Sequence, residues 1–302
     1  VAEEVINGDA DSSSFPATSR KEFSAEPDAH YDRVTDAWQY LIGDDLHVGY
    51  FEDRDDDLLT ATRALTRLMA DSVQLSPGDR VLDVGCGTGS PAVYLALDRG
   101  CYVIGISTSS VGIARAKARA GDRGAENRAG FVMADGTANG FPDESFDCVW
   151  VMESSHLIPQ KNLLVKECAR VLRPGGTIVL CDLMLRQPIP VPPGVGLWHD
   201  LILLEKVYGK TFLYSLAAYV REFNINGLHA EGQDISQPVL PTFGLWQQNA
   251  QRHADRASEV FGADQVKLFA RSCEIMTRLF QNGQLGYCLV TGKKAGELRA
   301  AH

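Results

Sequence analysis

The 302-residue chain has no apolar run close to the ~18 residues that a bilayer-crossing helix needs, so no membrane-spanning segment is expected. Positive charge is short: 29 Lys and Arg stand against 39 Asp and Glu, a net −10. A protein built to bind nucleic acid would carry a basic stripe, so no nucleic-acid partner is expected. The N-terminal residues are rich in Asp, Glu and Ser, and show neither a basic stretch nor an apolar core of a secretory signal. The expected location is therefore the cytoplasm. C-x-x-C pairs are absent. The seven cysteines (86, 101, 148, 168, 181, 273 and 288) are odd in number, and several fall in expected core strands. They read as small buried hydrophobes in a reducing compartment, not as disulfides or metal ligands. There are no internal repeats, and low complexity is confined to the start of the chain. With 45% hydrophobic and 23% charged residues, the composition suits a globular protein with a sizeable core.

The chain is organised around Val81-Leu82-Asp83-Val84-Gly85-Cys86-Gly87-Thr88-Gly89. A buried-strand run meets three alternate glycines, and a helical pattern follows with Pro91 in its first turn. Glycine permits positive φ and close approach of a ligand, while a helix N-terminus offers unpaired N–H donors. The stretch reads as a cofactor cradle at the C-terminal end of a first parallel strand. A dinucleotide fingerprint is G-x-G-x-x-G. Here the spacing is G-x-G-x-G with an acid, Asp83, two residues before it; that spacing, and the lack of an acid after the second strand, speak against a nicotinamide dehydrogenase.

Residues 1–25 are polar and acidic and read as a flexible arm. Residues 26–295 read as one domain, with 296–302 as a tail. Val34, Trp38 and Leu41 predict an amphipathic helix, and a second helix over about 57–73 is expected to turn Leu58, Leu59, Leu65, Leu68 and Met69 inward. Further strands are expected at 100–106, 131–135, 146–152, 177–182 and 283–292. A helix over 161–172 has Leu163, Leu164, Cys168 and Val171 on its inner side, and helices follow at about 242–260 and 263–281. Continuous apolar strands alternating with helices predict an α/β, Rossmann-like, seven-stranded, mostly parallel sheet covered on both faces. Ligands of such sheets bind outside the carboxyl ends of the strands. Residues 186–228 break the alternation. Four prolines lead into helices carrying Trp198, Leu201, Leu204 and Tyr208, too long for an ordinary connection. This segment is expected to be a helical lid inserted after strand five. Its apolar residues would also suit a homo-oligomer.

The chain resembles class I S-adenosylmethionine-dependent methyltransferases. Within them it is similar to the small-molecule branch containing natural-product sugar O-methyltransferases, glycine-betaine-forming N-methyltransferases, and tocopherol and sterol C-methyltransferases. The resemblance spans Tyr31 to Lys294. It rests on Tyr31-Asp32, Leu46-His47-Val48-Gly49-Tyr50, the glycine motif, Phe141-Pro142-Asp143-Glu144-Ser145-Phe146-Asp147, Glu153-Ser154-Ser155-His156, Val171-Leu172-Arg173-Pro174-Gly175-Gly176 and Gly286-Tyr287. It implies S-adenosylmethionine as cofactor and S-adenosylhomocysteine as product. It also implies cofactor contacts from Tyr31, Gly85, Cys86, Gly87, Ser107, Thr108, Asp135, Gly136, Thr137 and Glu153. Ser107 stands where the general pattern has an acid for the ribose hydroxyls, and the sugar O-methyltransferases share that serine. Asp135 would accept from the adenine amino group, its alternative being a helix N-cap.

His156 follows the fourth strand and matches the first histidine of the E-S-x-H-H motif, whose second is Leu157 here. It is the candidate base. Asp182 would orient its imidazole. Glu205, on the lid, would suit a C-methyltransferase, and His47 and His199 are further pocket candidates. The implied reaction is methyl transfer to a hydroxyl or amine of a small, partly apolar specialised metabolite, such as an antibiotic precursor. The alternative acceptor is a prenyl or olefinic carbon.

Overall fold

The computed structural model describes residues 38–189 and 194–296. The arm, Tyr31, the prolines at 190, 192 and 193 and all but the first residue of the tail lie outside them. Seven strands form one sheet in the order β3-β2-β1-β4-β5-β7-β6. They are β1 (Arg80–Val84), β2 (Tyr102–Ser107), β3 (Ala129–Met133), β4 (Phe146–Met152), β5 (Leu172–Leu185), β6 (Leu228–Asp234) and β7 (Leu285–Lys294). The first five are parallel, with Leu82 of β1 beside Ile104 of β2 and Val149 of β4. β7 runs antiparallel to both β5 and β6.

Successive side chains on a strand point to opposite faces. Val81, Val103, Trp150 and Val179 therefore join one core cluster, and their neighbours Leu82, Ile104, Val149 and Ile178 join the other. The first face is covered by α1 (Leu58–Asp71), α2 (Ser90–Leu97) and α3 (Ser110–Arg123), together with later helices α8 (Pro241–Arg252) and α10 (Ala263–Gln281). The second is covered by α4 (Lys161–Val171) and α6 (Leu216–Ile225), which bury Leu164, Cys168, Tyr219 and Phe223. All seven cysteines are buried and unbridged.

The structure departs from the sequence pattern at several points. β6 was not marked by the pattern at all. It is an edge strand, exposed along most of its length, and His229-Ala230-Glu231-Gly232-Gln233-Asp234 has no apolar alternation to read. The 186–228 segment divides. α5 (Val195–Tyr208) faces the strand ends, but α6 lies on the sheet, where Gly232 lets β6 approach Leu216 and Val220. The 242–260 helix breaks at His253 into α8 and α9 (Ala254–Phe261), with the short α7 (Ser236–Val239) before them. Leu59 and Leu163 face outward. Leu65 and Met69 face inward as expected, joined by Ala61, Thr62 and Ala64, and the Leu46–Tyr50 loop runs so close that a Cβ on Gly49 would lie 2.6 Å from that of Ala61. In α4 the inward stripe runs through Leu164, Val165 and Cys168, one step round from Leu163. β3 stops at Met133, so Asp135 stands beyond the strand.

Candidate active site

A cavity of about 650 Å³ opens at the carboxyl ends of β1, β2, β4 and β5. This is where the strand order reverses direction and where ligands of open α/β sheets bind.

Its first half is built from the glycine turn. Gly85 takes φ 79°, and a Cβ there would sit 2.2 Å from Ser154 Cβ, so neither backbone nor neighbour accepts a side chain. Gly87 takes φ 52° and has open space where its Cβ would be, toward the cavity it lines. The N–H groups of Gly85 and Cys86 donate to the Ile106 carbonyl at 2.8 and 3.0 Å, which ties the turn to β2. Those of Gly87 and Thr88 have no partner among the described residues, so they, and not the first two, are the donors left for a ligand. Below them Asp83 is buried, and its Oδ2 lacks a partner among the described residues. Burial pushes its carboxyl up to about 7. Ser107 and Thr108 line the same half, Ser107 Oγ accepting from the Ser109 N–H at 3.1 Å. Asp135 closes a turn rather than capping a helix: its Oδ1 accepts from the N–H and the hydroxyl of Thr137, both at 2.8 Å. Gly136 follows, and a Cβ there would meet Val84 at 2.7 Å.

Where the halves meet, His156 sits in a 3-10 turn after β4 and borders the cavity. Its Nδ1 donates to Asp182 Oδ1 at 2.7 Å, which leaves Nε2 as the ring's acceptor. Asp182 is fully buried and accepts three more hydrogen bonds, from Ser155 Oγ (2.5 Å), the His156 N–H (2.9 Å) and the Leu183 N–H (2.7 Å). Burial opposes the charged imidazole, but Asp182 and then Glu153 outweigh it and raise its pKa above the ordinary value. Burial likewise opposes the Asp182 carboxylate, and His156 and Ser155 outweigh that, holding it below the usual range. Glu153 borders the cavity with φ 47°, a left-handed conformation that a non-glycine residue adopts at a cost of order 1–3 kcal/mol. Its Oε1 accepts from the Val48 N–H (2.9 Å) and the Tyr287 hydroxyl (2.8 Å), and burial raises its pKa.

The second half is apolar. Leu201, Leu204 and Tyr208 come from α5, Phe243 and Trp246 from α8, Met276 from α10, and Leu183 and Leu185 from β5. Glu205 lines it from an exposed position on α5, whereas His199 is exposed on that helix and takes no part in the wall. His47 lines the cavity, but Nδ1 bonds the Val48 carbonyl at 2.9 Å and Nε2 lies 3.5 Å from the Thr66 hydroxyl, so its ring is committed to holding the loop. Sequence reasoning did not single out Asp83 as a site residue, nor Tyr219, which contacts Ser155 from the far side of Asp182. A tyrosine in an amphipathic helix carries no signal of such a contact.

The sequence matches the family described as "Methyltransferase domain" over residues 82–180. It is 34% identical to the 27-O-demethylrifamycin SV methyltransferase of Amycolatopsis mediterranei, over 87% of this chain and 95% of that protein. It is 28% identical to the O-methyltransferase resE of Aspergillus sclerotiorum, over 90% of this chain and 97% of that one. Among solved structures, the cyclopropane synthase MmaA2 of Mycobacterium tuberculosis shares the fold with a TM-score of 0.81 at 18% identity, covering 89% and 97% of the two chains. The chain belongs to the class I S-adenosylmethionine-dependent methyltransferases. It is an enzyme, and its cofactor is S-adenosylmethionine. The site fits that group. An orphaned carboxyl oxygen on Asp83, two unpartnered N–H groups and open space beside Gly87 suit a ligand with an ammonium and a carboxylate end. No helix among the described residues is long and apolar enough to cross a membrane.

Proposed function

We propose that this enzyme methylates a hydroxyl, or an amine, of a small, partly apolar specialised metabolite, with His156 as general base. The observation that carries the reading is the buried His156–Asp182 pair at 2.7 Å, placed between a glycine-built half and an apolar half of one cavity. S-adenosylmethionine supplies an already activated methyl group, so the protein's share is alignment and, for a hydroxyl, removal of a proton. Alignment alone can lower such a barrier by about 7–11 kcal/mol. Asp182 takes the Nδ1 proton's hydrogen bond and so keeps Nε2 as the acceptor for the substrate proton. Gly85 and Cys86 shape the turn, Gly87 and Thr88 with Glu153 and Tyr31 are assigned to the amino-acid end of the cofactor, Ser107 and Thr108 to its ribose, and Asp135, Gly136 and Thr137 to its adenine. The relatives' printed names, with O-methylation in both, support a hydroxyl acceptor.

The test is incubation with labelled S-adenosylmethionine and a metabolite extract of the source organism. His156→Ala is expected to lower turnover by about 10²–10⁴ while leaving cofactor affinity unchanged. Undiminished turnover would remove the base role. A second reading has one observation in its favour: Glu205 places a carboxylate on the wall of the apolar half. There it would face positive charge developing on a prenyl or olefinic carbon. NMR of the labelled product distinguishes the two, since an O- or N-bound methyl and a C-bound methyl resonate apart.

A further inference from the structure

We propose that Ser155 and Tyr219 are positioning residues for the base: Tyr219 donates to Ser155, Ser155 donates to Asp182, and this chain sets how strongly Asp182 holds His156. It rests on the reading of His156 as the base and extends it to α6.

The direction of the chain follows from proton inventory. Asp182 is a buried carboxylate held below its usual range, so it has no proton to give. Ser155 Oγ lies 2.5 Å from Asp182 Oδ2 and 2.7 Å from the Tyr219 hydroxyl. The serine has a single proton, which must go to the anion, so the Ser155–Tyr219 contact is filled by the tyrosine's proton. Burial raises the Tyr219 phenol far above its ordinary value, which keeps it protonated and able to donate. Tyr219 and Ser155 are both fully buried, so no water competes for these bonds.

The consequence is chemical. Each hydrogen bond to Oδ2 disperses the carboxylate charge and weakens its pull on the His156 proton. Without Ser155 the charge concentrates toward Oδ1, and the imidazolium is held harder. A base held too tightly to its proton is saturated at working pH. Other ionisable groups near His156 are Glu153 at the end of β4 and Lys161 on α4. Burial lowers the Lys161 amine to about 8, and it donates to the Ile158 carbonyl at 2.9 Å and to that of Phe212. Cys288 of β7 and Tyr214 stand by Tyr219 and Asp182. All of these are common to parent and variants, so they cancel in a difference measurement.

The measurement is an NMR titration of the His156 ring in the full chain without ligand, its signal assigned by its loss in His156→Gln. Ser155→Ala is expected to raise the titration midpoint by about half to one pH unit, and Tyr219→Phe by less. The double variant should match Ser155→Ala, because the tyrosine acts only through the serine. Ser155→Thr, which restores the hydroxyl, should return the midpoint to the parent value. Tyr219→Phe keeps the ring that packs on Tyr214, so it provides a folded test even if Ser155→Ala is damaged. Midpoints that stay in place in folded variants, or shifts that simply add, overturn the chain. His156→Ala separates the two ideas. If that variant loses turnover while the midpoints stay still, only the relay fails. If it keeps full turnover, the base assignment fails, whatever the midpoints do.

Discussion

The two halves of the cavity are made in opposite ways. The glycine-built half, proposed for the cofactor, comes from short contiguous stretches at the tips of β1, β2 and the β3–β4 connection, where backbone conformation and close approach dictate the residue. The apolar half, proposed for the acceptor, is assembled from α5, α8, α10 and β5, which are far apart in the chain and contribute ordinary leucines and aromatics. One half constrains backbone and the other supplies mainly shape. A shared cofactor can therefore be kept by a few fixed positions, while acceptor choice can drift through many tolerant ones.

The contrast puts the largest effect at Gly85. Gly85→Ala combines φ 79° with an overlap on Ser154, and S-adenosylmethionine affinity measured by calorimetry is expected to fall about a hundredfold, about 3 kcal/mol. Leu204→Ala should act on the other half alone. The KM for the acceptor rises about tenfold while cofactor affinity is unchanged, so equal loss of both would break the division.

A third effect concerns pH. An ordinary aspartate titrates near 3.9. Burial puts folded Asp83 at about 7, so the native state holds its proton more tightly than the unfolded chain does. Without cofactor, stability therefore falls as pH rises from about 4 through 7. Asp83→Asn should remove that slope and leave the apo-protein about 3 kcal/mol more stable than the parent at pH 8, with little change at pH 5, by urea denaturation. Cofactor affinity should drop in the same variant. An apo-protein no less stable at pH 8 than at pH 5 would contradict the unpaired carboxylate.

The difference between the halves also explains what could be read in advance. Gly85-Cys86-Gly87 and the apolar runs of β1, β2, β4 and β5 are local patterns with one physical solution, and they stand where expected. β6 was illegible because an exposed edge strand needs no apolar face. α6 was misplaced because nothing in Leu216–Ile225 says which surface its Tyr219 and Phe223 will cover. Asp135 showed itself as an acid after a strand, but the choice between a helix cap and a turn depends on where the chain goes next.

By itself, then, the order of residues determined the alternating sheet, the glycine turn and the chemical types available at its rim. Strand period and positive φ are properties of a few neighbouring residues. Tertiary structure alone set the 2.7 Å hydrogen bond between His156 and Asp182, brought Tyr219 to Ser155 from another helix, and bound His47 up in its loop. Those outcomes depend on distances between segments that meet only when the sheet closes its packing on both faces.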